Sequence, residues 1–300
     1  METYIREEKT YRDGIPCDFL CHLQTPACSG SVYPAHYHSY IEMLLGLEGE
    51  FQIFLNGSWH LWQAGDLVLI SAEEVHHIYA RSENGGSYIV VRFMPELLQN
   101  DLAGTGLEMG YLRPLLSPEA LQEKVIPGKD LTGSEVPRLF HKILKETSEK
   151  EYAYELAVRS HILGIYLWLI RYWHKKNPAS FRYTAEDREL FRTLEPALAY
   201  MDTNFRRNIS VSYLAELCGF SYSYFSRSFQ RLMHRSIPDY LNSLRVAEAE
   251  KLLISTSMTV TDIALATGFE TSSYFIKIFR KYKQLSPRQF RKTIQSNFTG

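Results

Sequence analysis

The stretch Leu214-Ala-Glu-Leu-Cys-Gly-Phe220 returns 49 residues later as Ile263-Ala-Leu-Ala-Thr-Gly-Phe269. The segment that follows it, Tyr224-Phe-Ser-Arg-Ser-Phe-Gln-Arg231, likewise returns as Tyr274-Phe-Ile-Lys-Ile-Phe-Arg-Lys281. In each copy the apolar spacing predicts a short helix, a glycine-containing turn and a second helix of about three turns. This is the layout of a helix-turn-helix, and the sequence contains it twice.

The second helix of each copy combines an aromatic face with a basic face. The aromatic residues are Phe225, Phe229, Phe275 and Phe279, and the basic residues are Arg227, Arg231, Lys277 and Lys281. Two positions along a helix correspond to about 200° around its axis, so the two sets point in nearly opposite directions. We expect the aromatic residues to face a core and the basic residues to face outward. Because basic groups attract phosphates and can reach base edges, the repeat predicts binding to double-stranded DNA.

The formal net charge of −1 is unevenly distributed along the 300 residues. Residues 201–300 contain 14 Lys and Arg against 7 Asp and Glu, whereas the remaining residues contain 19 against 27. A basic C-terminal part favours contact with nucleic acid, and an acidic N-terminal part indicates a different task there.

The repeated region resembles the DNA-binding domain of the AraC-type transcription regulators. Besides the two copies, the resemblance rests on Arg245-Val-Ala-Glu-Ala249 between them and on Ser286-Pro287 and Phe290-Arg291 after them. It covers about residues 190–295 of this chain. The resemblance implies that a long helix joins the two helix-turn-helix units.

In that family, base contacts come from the early part of each second helix. The matching residues are Ser223, Ser226, Arg227, Ser272, Ser273, Ile276 and Lys277, and the residues matching phosphate contacts are Arg231, Arg280 and Lys281. Ser223 and Ser272 have an alternative role, because serine also caps helix N-termini. The family usually has glycine before each closing helix, where this chain has Arg235 and Gln284. A non-glycine residue tolerates the left-handed conformation there at modest cost.

The N-terminal third has the pattern of short strands separated by turns. Apolar runs occur at residues 40–47, 51–55, 58–62, 66–70, 75–80 and 87–93, and Asn56-Gly57 is a strong hairpin signal. This spacing predicts a sandwich or small barrel rather than a parallel sheet. Residues 96–132 predict short helices and loops, and from Glu135 the period becomes helical. The fold class is therefore α+β, with an N-terminal sandwich or small β-barrel, helices, and an all-α C-terminal domain.

His36, His38 and Glu42 follow the spacing HxHxxxE, and His76 follows later in the chain. On one strand, alternation would turn these groups to the same face. The pattern resembles the motifs of the cupin barrel, in which three histidines and one glutamate hold a metal ion. The second motif departs from the family at Ser71, Glu73 and Ala80. In AraC-type regulators such a barrel is often an effector domain that commonly binds a sugar.

Three interpretations of His36, His38, Glu42 and His76 remain open. They bind a small-molecule effector such as a sugar, with no obligatory cofactor; they hold a divalent transition metal, for which three nitrogens and a carboxylate are suitable donors; or they form a polar core without a ligand. Aromatic residues are expected near the four, and they suit stacking on a sugar or filling the barrel. Tyr33 and Trp59 are the two expected to bind the effector, and Trp62 and Tyr79 are the other two nearby.

The helix at about residues 152–174 is apolar nearly all round, so it is expected to be buried or to meet a partner. We expect it to form a homodimer, as in the family, because dimers suit paired DNA half-sites. The expected interface residues are Leu156, Ile162, Leu163, Tyr166 and Ile170. The expected domains are an effector domain at 1–132, a dimerisation and linker region at 133–176, and a DNA-binding domain at 185–300 with helix-turn-helix units at about 208–233 and 258–283.

The sequence favours a ligand-responsive transcription regulator, an activator or a repressor, that senses a carbohydrate or another small molecule. By resemblance, RNA polymerase is a further partner. The alternative is a metal-dependent cupin enzyme or a metal sensor fused to DNA-binding units, but no nucleophile or acid pair stands out, so we expect no enzyme. The absence of a CxxC pair, of a membrane-length apolar segment and of an apolar signal core predicts a cytoplasmic protein without membrane contact.

Overall fold

The computed structural model describes residues 11–12, 15–16, 18–55, 57–99, 123–178, 184–233 and 235–296. The chain forms two compact units, and the boundary lies between residues 182 and 183. The helical region expected at 133–176 therefore belongs to the same unit as the strands. Within the described residues, no helix combines the length and the apolar character that crossing a bilayer requires.

The strands all lie in the first unit. In chain order they are β1 (Tyr11–Arg12), β2 (Ile15–Pro16), β3 (Phe19–Gln24), β4 (Gly30–His36), β5 (Ile41–Glu48), β6 (Glu50–Leu55), β7 (Ser58–Gln63), β8 (Leu67–Ile70), β9 (His76–Ala80), β10 (Ser87–Phe93) and β11 (Val125–Ile126). The six apolar runs expected as strands are confirmed, whereas β1, β2, β3, β4 and β11 have no counterpart among them.

Two antiparallel sheets face each other and form the β-domain, called the barrel below. The five-stranded sheet has the order β11-β8-β5-β10-β3, and the four-stranded sheet has the order β4-β9-β6-β7. Strands β1 and β2 form a separate small ribbon. From β3 to β10, hairpins and short crossovers link consecutive strands, as expected for a sandwich or barrel.

Side chains of strand β5 point alternately to its two faces, and each face packs in a different core. Leu44 faces the four-stranded sheet and packs in one cluster with Phe51. Its neighbour Met43 faces the other way and packs in a second cluster with Phe140 and Ile162, which lie on helices. All five side chains are almost completely buried. The five-stranded sheet is therefore covered on both faces, and burial of each such side chain contributes about 1.5–3 kcal/mol.

The helices of the first unit follow the barrel in the chain. They are α1 (Glu96–Gln99), α2 (Gly128–Leu131), α3 (Val136–Glu149) and α4 (Tyr154–Lys176). On α4, Ile162 and Tyr166 are buried in the core shared with the five-stranded sheet. The expectation that these two residues form a subunit interface is therefore wrong, because their own unit already covers them. Residues 100–122 of the expected loop region, and 179–183 of the linker, lie outside the described residues.

The second unit is helical throughout its described residues. Its helices are α5 (Ala185–Asn204), α6 (Val211–Leu217), α7 (Tyr222–Met233), α8 (Ile237–Ser255), α9 (Val260–Ala266), α10 (Ser272–Lys283) and α11 (Pro287–Ser296). The pairs α6–α7 and α9–α10 are the two helix-turn-helix units expected from the repeat. The long helix α8 joins them.

The structural repeat is longer than the sequence repeat, because a capped long helix precedes each helix-turn-helix. Thr184 and Asp187 form a capping box at the start of α5. Ser236 caps the start of α8 through the backbone N–H of Asp239. Arg245 of α8 donates to two backbone carbonyls in the loop that follows α5. A polar cap thereby stabilises the start of each three-helix unit, and the bonds of Arg245 join α8 to the loop after α5.

Candidate functional site

Helices α7 and α10 have the two faces that the sequence predicts. Phe225, Phe229, Phe275 and Phe279 are fully buried. Residues Ser223, Arg227, Arg231, Ser273, Ile276, Lys277, Arg280 and Lys281 are exposed, and Ser226 and Ser272 are half-buried. All ten residues proposed for DNA contact therefore lie on two helices of equal length, and all but Ser272 and Arg280 form pairs at matched positions of the repeat.

The capping role considered for Ser223 and Ser272 falls to other residues. Ser221 accepts a bond from a backbone N–H three residues further on, at 3.4 Å, before α7. Thr271 does the same before α10, at 3.2 Å. The two serines are therefore available for other contacts. Gln284 at the end of α10 takes the expected left-handed conformation, with φ of 58°.

Two of the expected phosphate contacts also hold an intramolecular ion pair. Arg231 lies 3.0 Å from Asp187 in the first turn of α5, and Lys281 lies 3.0 Å from Asp239 in the first turn of α8. Lys281 is the main cause that lowers the pKa of Asp239. Both basic side chains remain more than half exposed. Anchoring at one side thus leaves each of them able to reach a phosphate.

The second site is a buried group of polar side chains in the barrel, called the histidine cluster, formed by His36, His38, Glu42 and His76. Each of the four is 2% exposed or less. One ligand atom from each lies within 4.8 Å of the others. Sequence spacing therefore found all four members of the cluster.

The cluster forms between the two sheets rather than on one strand. His36 is the last residue of β4 and is paired in register with His76, the first residue of β9. Glu42 lies on β5 in the other sheet, and His38 lies in the connection between them. The expectation that alternation along one strand aligns the motif is wrong. The chain instead crosses from one sheet to the other within the motif.

Each histidine is oriented by a hydrogen bond from Nδ1 to a backbone carbonyl. These bonds join His36 to Pro34 at 2.9 Å, His38 to Tyr40 at 3.0 Å, and His76 to Glu74 at 2.9 Å. A carbonyl oxygen only accepts, so Nδ1 carries the proton in all three rings. In the neutral ring, Nε2 then holds the lone pair that a metal or a donor group would use.

Glu42 is the charged member of the cluster. Its Oε2 lies 2.7 Å from Nε2 of His38, 3.5 Å from Nε2 of His76 and 3.0 Å from Nε of Arg92. Burial alone would raise the pKa of Glu42, but Arg92 and the histidines hold that pKa well below its usual range. Burial, followed by the charge of His76, lowers the pKa of His36 well below its ordinary value. The cluster thus combines a carboxylate with the neutral imidazole of His36.

The short contact between His38 and Glu42 decides what can lie between them. Nδ1 of His38 already carries a proton that it donates elsewhere, so Nε2 and the carboxylate oxygen are two acceptors in the neutral ring. They approach to 2.7 Å only if they share a second proton or a cation. Three imidazoles oriented by backbone carbonyls and one carboxylate are a donor set that suits Zn²⁺ and similar transition metals.

The two aromatic residues proposed for effector binding lie in different places. Tyr33 is half exposed, and its ring centroid is 4.4 Å from that of His36. Trp59 instead contacts His77, at 5.5 Å. His77 follows His76 on β9, so its side chain points to the opposite face of the sheet. Trp59 is therefore separated from the cluster, and Tyr33 remains beside it.

Sequence reasoning missed the charged residues that support the cluster. Arg92 is the one charged residue in the apolar run of β10 and pairs in register with Glu42. Glu74 and Lys124 form a buried ion pair at 2.8 Å. A lone charge inside a strand pattern was the available signal for Arg92, whereas nothing in the local sequence relates Lys124 to Glu74.

Comparison with known proteins finds a family model for each of the two sites. A family model described as an AraC-like ligand binding domain matches residues 26–165, and one described as a helix-turn-helix domain matches residues 214–293. The chain is 33% identical over 92 residues to the bifunctional transcriptional activator/DNA repair enzyme AdaA of Bacillus subtilis, covering 31% of this chain and 44% of that protein.

It is also 33% identical over 98 residues to the melibiose operon regulatory protein of Escherichia coli, covering 33% of this chain and 32% of that protein. The chain thus spans less than half the length of either curated relative. A solved transcriptional regulator of Chromobacterium violaceum, described as AraC-type, is 27% identical, with 35% of this chain and 93% of that chain covered and a TM-score of 0.33.

Proposed function

We propose that the chain is an AraC-type transcription regulator with an N-terminal ligand-binding domain. Its helices α7 and α10 bind a specific double-stranded DNA sequence under the control of a ligand held in the barrel. The observation that carries this proposal is the exposure of basic side chains at matched positions of both helices. The regulator acts in the cytoplasm on bound DNA, where RNA polymerase is its further partner.

We propose further that the histidine cluster holds a divalent transition metal ion. The support is the set of three Nδ1 bonds to backbone carbonyls, which fix all three rings with Nε2 as the ligand atom. Ligand atoms within 4.8 Å of one another leave room for an ion. When bound, the metal would supply a positive charge that joins the two sheets at this point.

A sugar remains the second candidate ligand, because Tyr33 supplies an exposed ring directly beside His36. Aromatic rings of this kind favour contact with the apolar face of a sugar. The sugar would lie at the rim, where Tyr33 is accessible, since the four cluster side chains are buried. The two candidates are compatible if the metal lies inside and the sugar above it.

Sensing is favoured over catalysis at this site. A catalytic metal keeps a coordination position open to substrate. Here all four donor side chains are 2% exposed or less. A buried metal of this kind suits a structural or sensory role better than a metal-dependent enzyme.

The test is a thermal-shift screen of the full chain after treatment with EDTA. Zn²⁺, Co²⁺, Ni²⁺ and Mn²⁺ are added singly, and common sugars are added with and without each metal. Binding to the folded state raises the melting temperature, because it adds RT ln(1 + [L]/Kd) to the free energy of unfolding. We expect a rise with at least one metal and about one bound ion per chain by elemental analysis.

Two variants separate the alternatives. His38→Ala removes a cluster donor and should abolish the metal-dependent rise, whereas His60→Ala removes a histidine of β7 outside the cluster and should retain it. Binding to an operator selected from random duplexes is measured in parallel. A metal response that survives in His38→Ala would refute the metal site, and failure to select any duplex would refute specific DNA binding.

We also propose that the chain is a homodimer. On α4 this interface keeps Leu156, Leu163 and Ile170 from the expected set, adds Leu167 and leaves out the buried Ile162 and Tyr166. The four residues share one side of the helix. Leu156 and Leu167 are exposed, with the half-buried Leu163 and Ile170 between and beside them. Two-fold symmetry would place two DNA-binding units against paired half-sites.

A further inference from the structure

The loop between β8 and β9 orients His76 through a hydrogen bond from its Nδ1 atom. The main-chain oxygen of Glu74 accepts the Nδ1 bond of His76, and the Glu74 carboxylate accepts bonds from the backbone N–H of Ser71 at 2.9 Å and from Nζ of Lys124 at 2.8 Å. Lys124 also donates to the Ser71 hydroxyl at 3.1 Å. Glu74 and Lys124 are 3% and 4% exposed. The position of Lys124 and the orientation of His76 are therefore linked.

The residue before Lys124 is attached to the end of α4. Nζ of Lys176 donates to both carboxylate oxygens of Glu123, at 2.9 and 3.1 Å. The hydroxyl of Tyr172 lies 3.3 Å from Glu123 and donates to Asp130 at 2.7 Å. The side chains of these consecutive residues thus point in different directions. Lys124 enters the barrel beside the cluster, and Glu123 contacts the last turn of α4.

We propose that the dipeptide Glu123-Lys124 couples the histidine cluster to the last turn of α4, so that occupation of the cluster orders residues 172–176. This inference rests on the proposed binding of a metal by the cluster. Lys176 is the last residue of α4, and the chain passes from there toward the boundary of the DNA-binding unit at residues 182 and 183. The coupling would bring the ligand signal to the segment that leads into that unit.

The two ion pairs differ in how readily they separate, and this difference decides where a shift at the cluster has its effect. Separating Lys124 from Glu74 would leave a buried charge without its partner, so this ion pair follows any movement of the loop. The pair between Glu123 and Lys176 is largely exposed and contributes little to stability. The last turn of a helix also lacks part of its backbone hydrogen bonds and opens most readily. A shift at His76 is therefore transmitted by Lys124 and expressed at the helix end.

Hydrogen exchange of the full chain, read by mass spectrometry, tests this coupling without an operator. Exchange is compared after EDTA treatment and after addition of Zn²⁺. In the wild type we expect slower exchange with Zn²⁺ both in the loop 71–76 and in the last turn of α4. In the double variant Tyr172→Phe/Lys176→Gln we expect the loop to retain its protection and the Zn²⁺ affinity to stay unchanged, while the effect on residues 172–176 is lost.

Tyr166→Phe is the matched control, because it removes a hydroxyl from the same helix that makes no hydrogen bond to the described residues. It should behave as the wild type at both places. Loop protection without any change at the end of wild-type α4 would overturn the coupling alone. No loop protection in the wild type would overturn the metal site and the coupling to it. An equal loss in Tyr166→Phe would show general loosening of α4 and would also overturn the coupling.

Discussion

Two glycines at matched positions of the repeat differ in their surroundings. Gly219 and Gly268 both have a left-handed backbone, with φ of 67° and 88°. A Cβ atom added at Gly268 would lie 2.6 Å from the carbonyl oxygen of Arg206, whereas one added at Gly219 would meet no described atom within 4 Å. The first turn therefore needs glycine for its conformation alone, and the second needs it for conformation and close packing.

This difference predicts unequal costs for the same substitution. Gly219→Ala should lower the free energy of unfolding of the helical unit by about 1 kcal/mol, which is the cost of the left-handed conformation. Gly268→Ala should cost about 1–3 kcal/mol more, because the loop at Arg206 must shift. Urea denaturation followed by far-UV circular dichroism measures both. Equal losses would show that Arg206 does not constrain this turn.

Single residues also show how much of the histidine cluster and its surroundings the sequence predicts. All four members of the histidine cluster were predicted, from the spacing HxHxxxE and from the resemblance to the cupin motifs that adds His76. The physical reason offered was wrong, since His36 and Glu42 belong to different sheets. The supporting ion pair of Glu74 and Lys124 joins residues 50 positions apart. Only tertiary folding brings such residues together, so no local pattern predicts them.

At the scale of elements, periodicity predicted the secondary structure of a segment better than it predicted the segments that pack against it. The six strand runs and the helix-turn-helix pairs were confirmed. Helix α4 was correctly predicted to be apolar all round, yet the sequence could not say which side the barrel covers. Burial of Ile162 and Tyr166 leaves a different stripe outside. Strand β11 is only two residues long and exists because β8 offers it an edge, which local propensity cannot show.

The exposed basic residues of α7 and α10 lead to a prediction about DNA affinity. Arg227→Ala and Lys277→Ala should each weaken binding to the selected operator by about 1–3 kcal/mol. Both side chains are exposed on the helix face opposite the buried phenylalanines, so folding should be unaffected. Arg192→Ala on α5 is the control, because it removes one positive charge outside α7 and α10. Fluorescence anisotropy at several salt concentrations measures the affinities, and unchanged binding in both variants would exclude these faces from the interface.

On the scale of the whole molecule, ligand and DNA sites lie in separate cores. The histidine cluster belongs to the unit of residues 5–182, and α7 and α10 belong to the unit from residue 183 onward. Separate cores allow each unit to fold and be altered independently. Communication between them can use the connecting segment or a change in how two chains associate, and a ligand that prefers one arrangement can bias both.

Association of two chains through α4 is the last prediction. Leu156 and Leu167 are 69% and 48% exposed, and Leu163 and Ile170 lie on the same stripe. Their spacings of seven, four and three residues are those of a helix pair with an apolar seam. The double variant Leu156→Glu/Leu167→Glu would bring four carboxylates together across a two-fold axis and should yield monomers. Lys175→Glu, outside the stripe on the same helix, should remain dimeric. Sedimentation velocity at tens of micromolar distinguishes the species, and a wild type that stays monomeric with metal and operator present would rule this interface out.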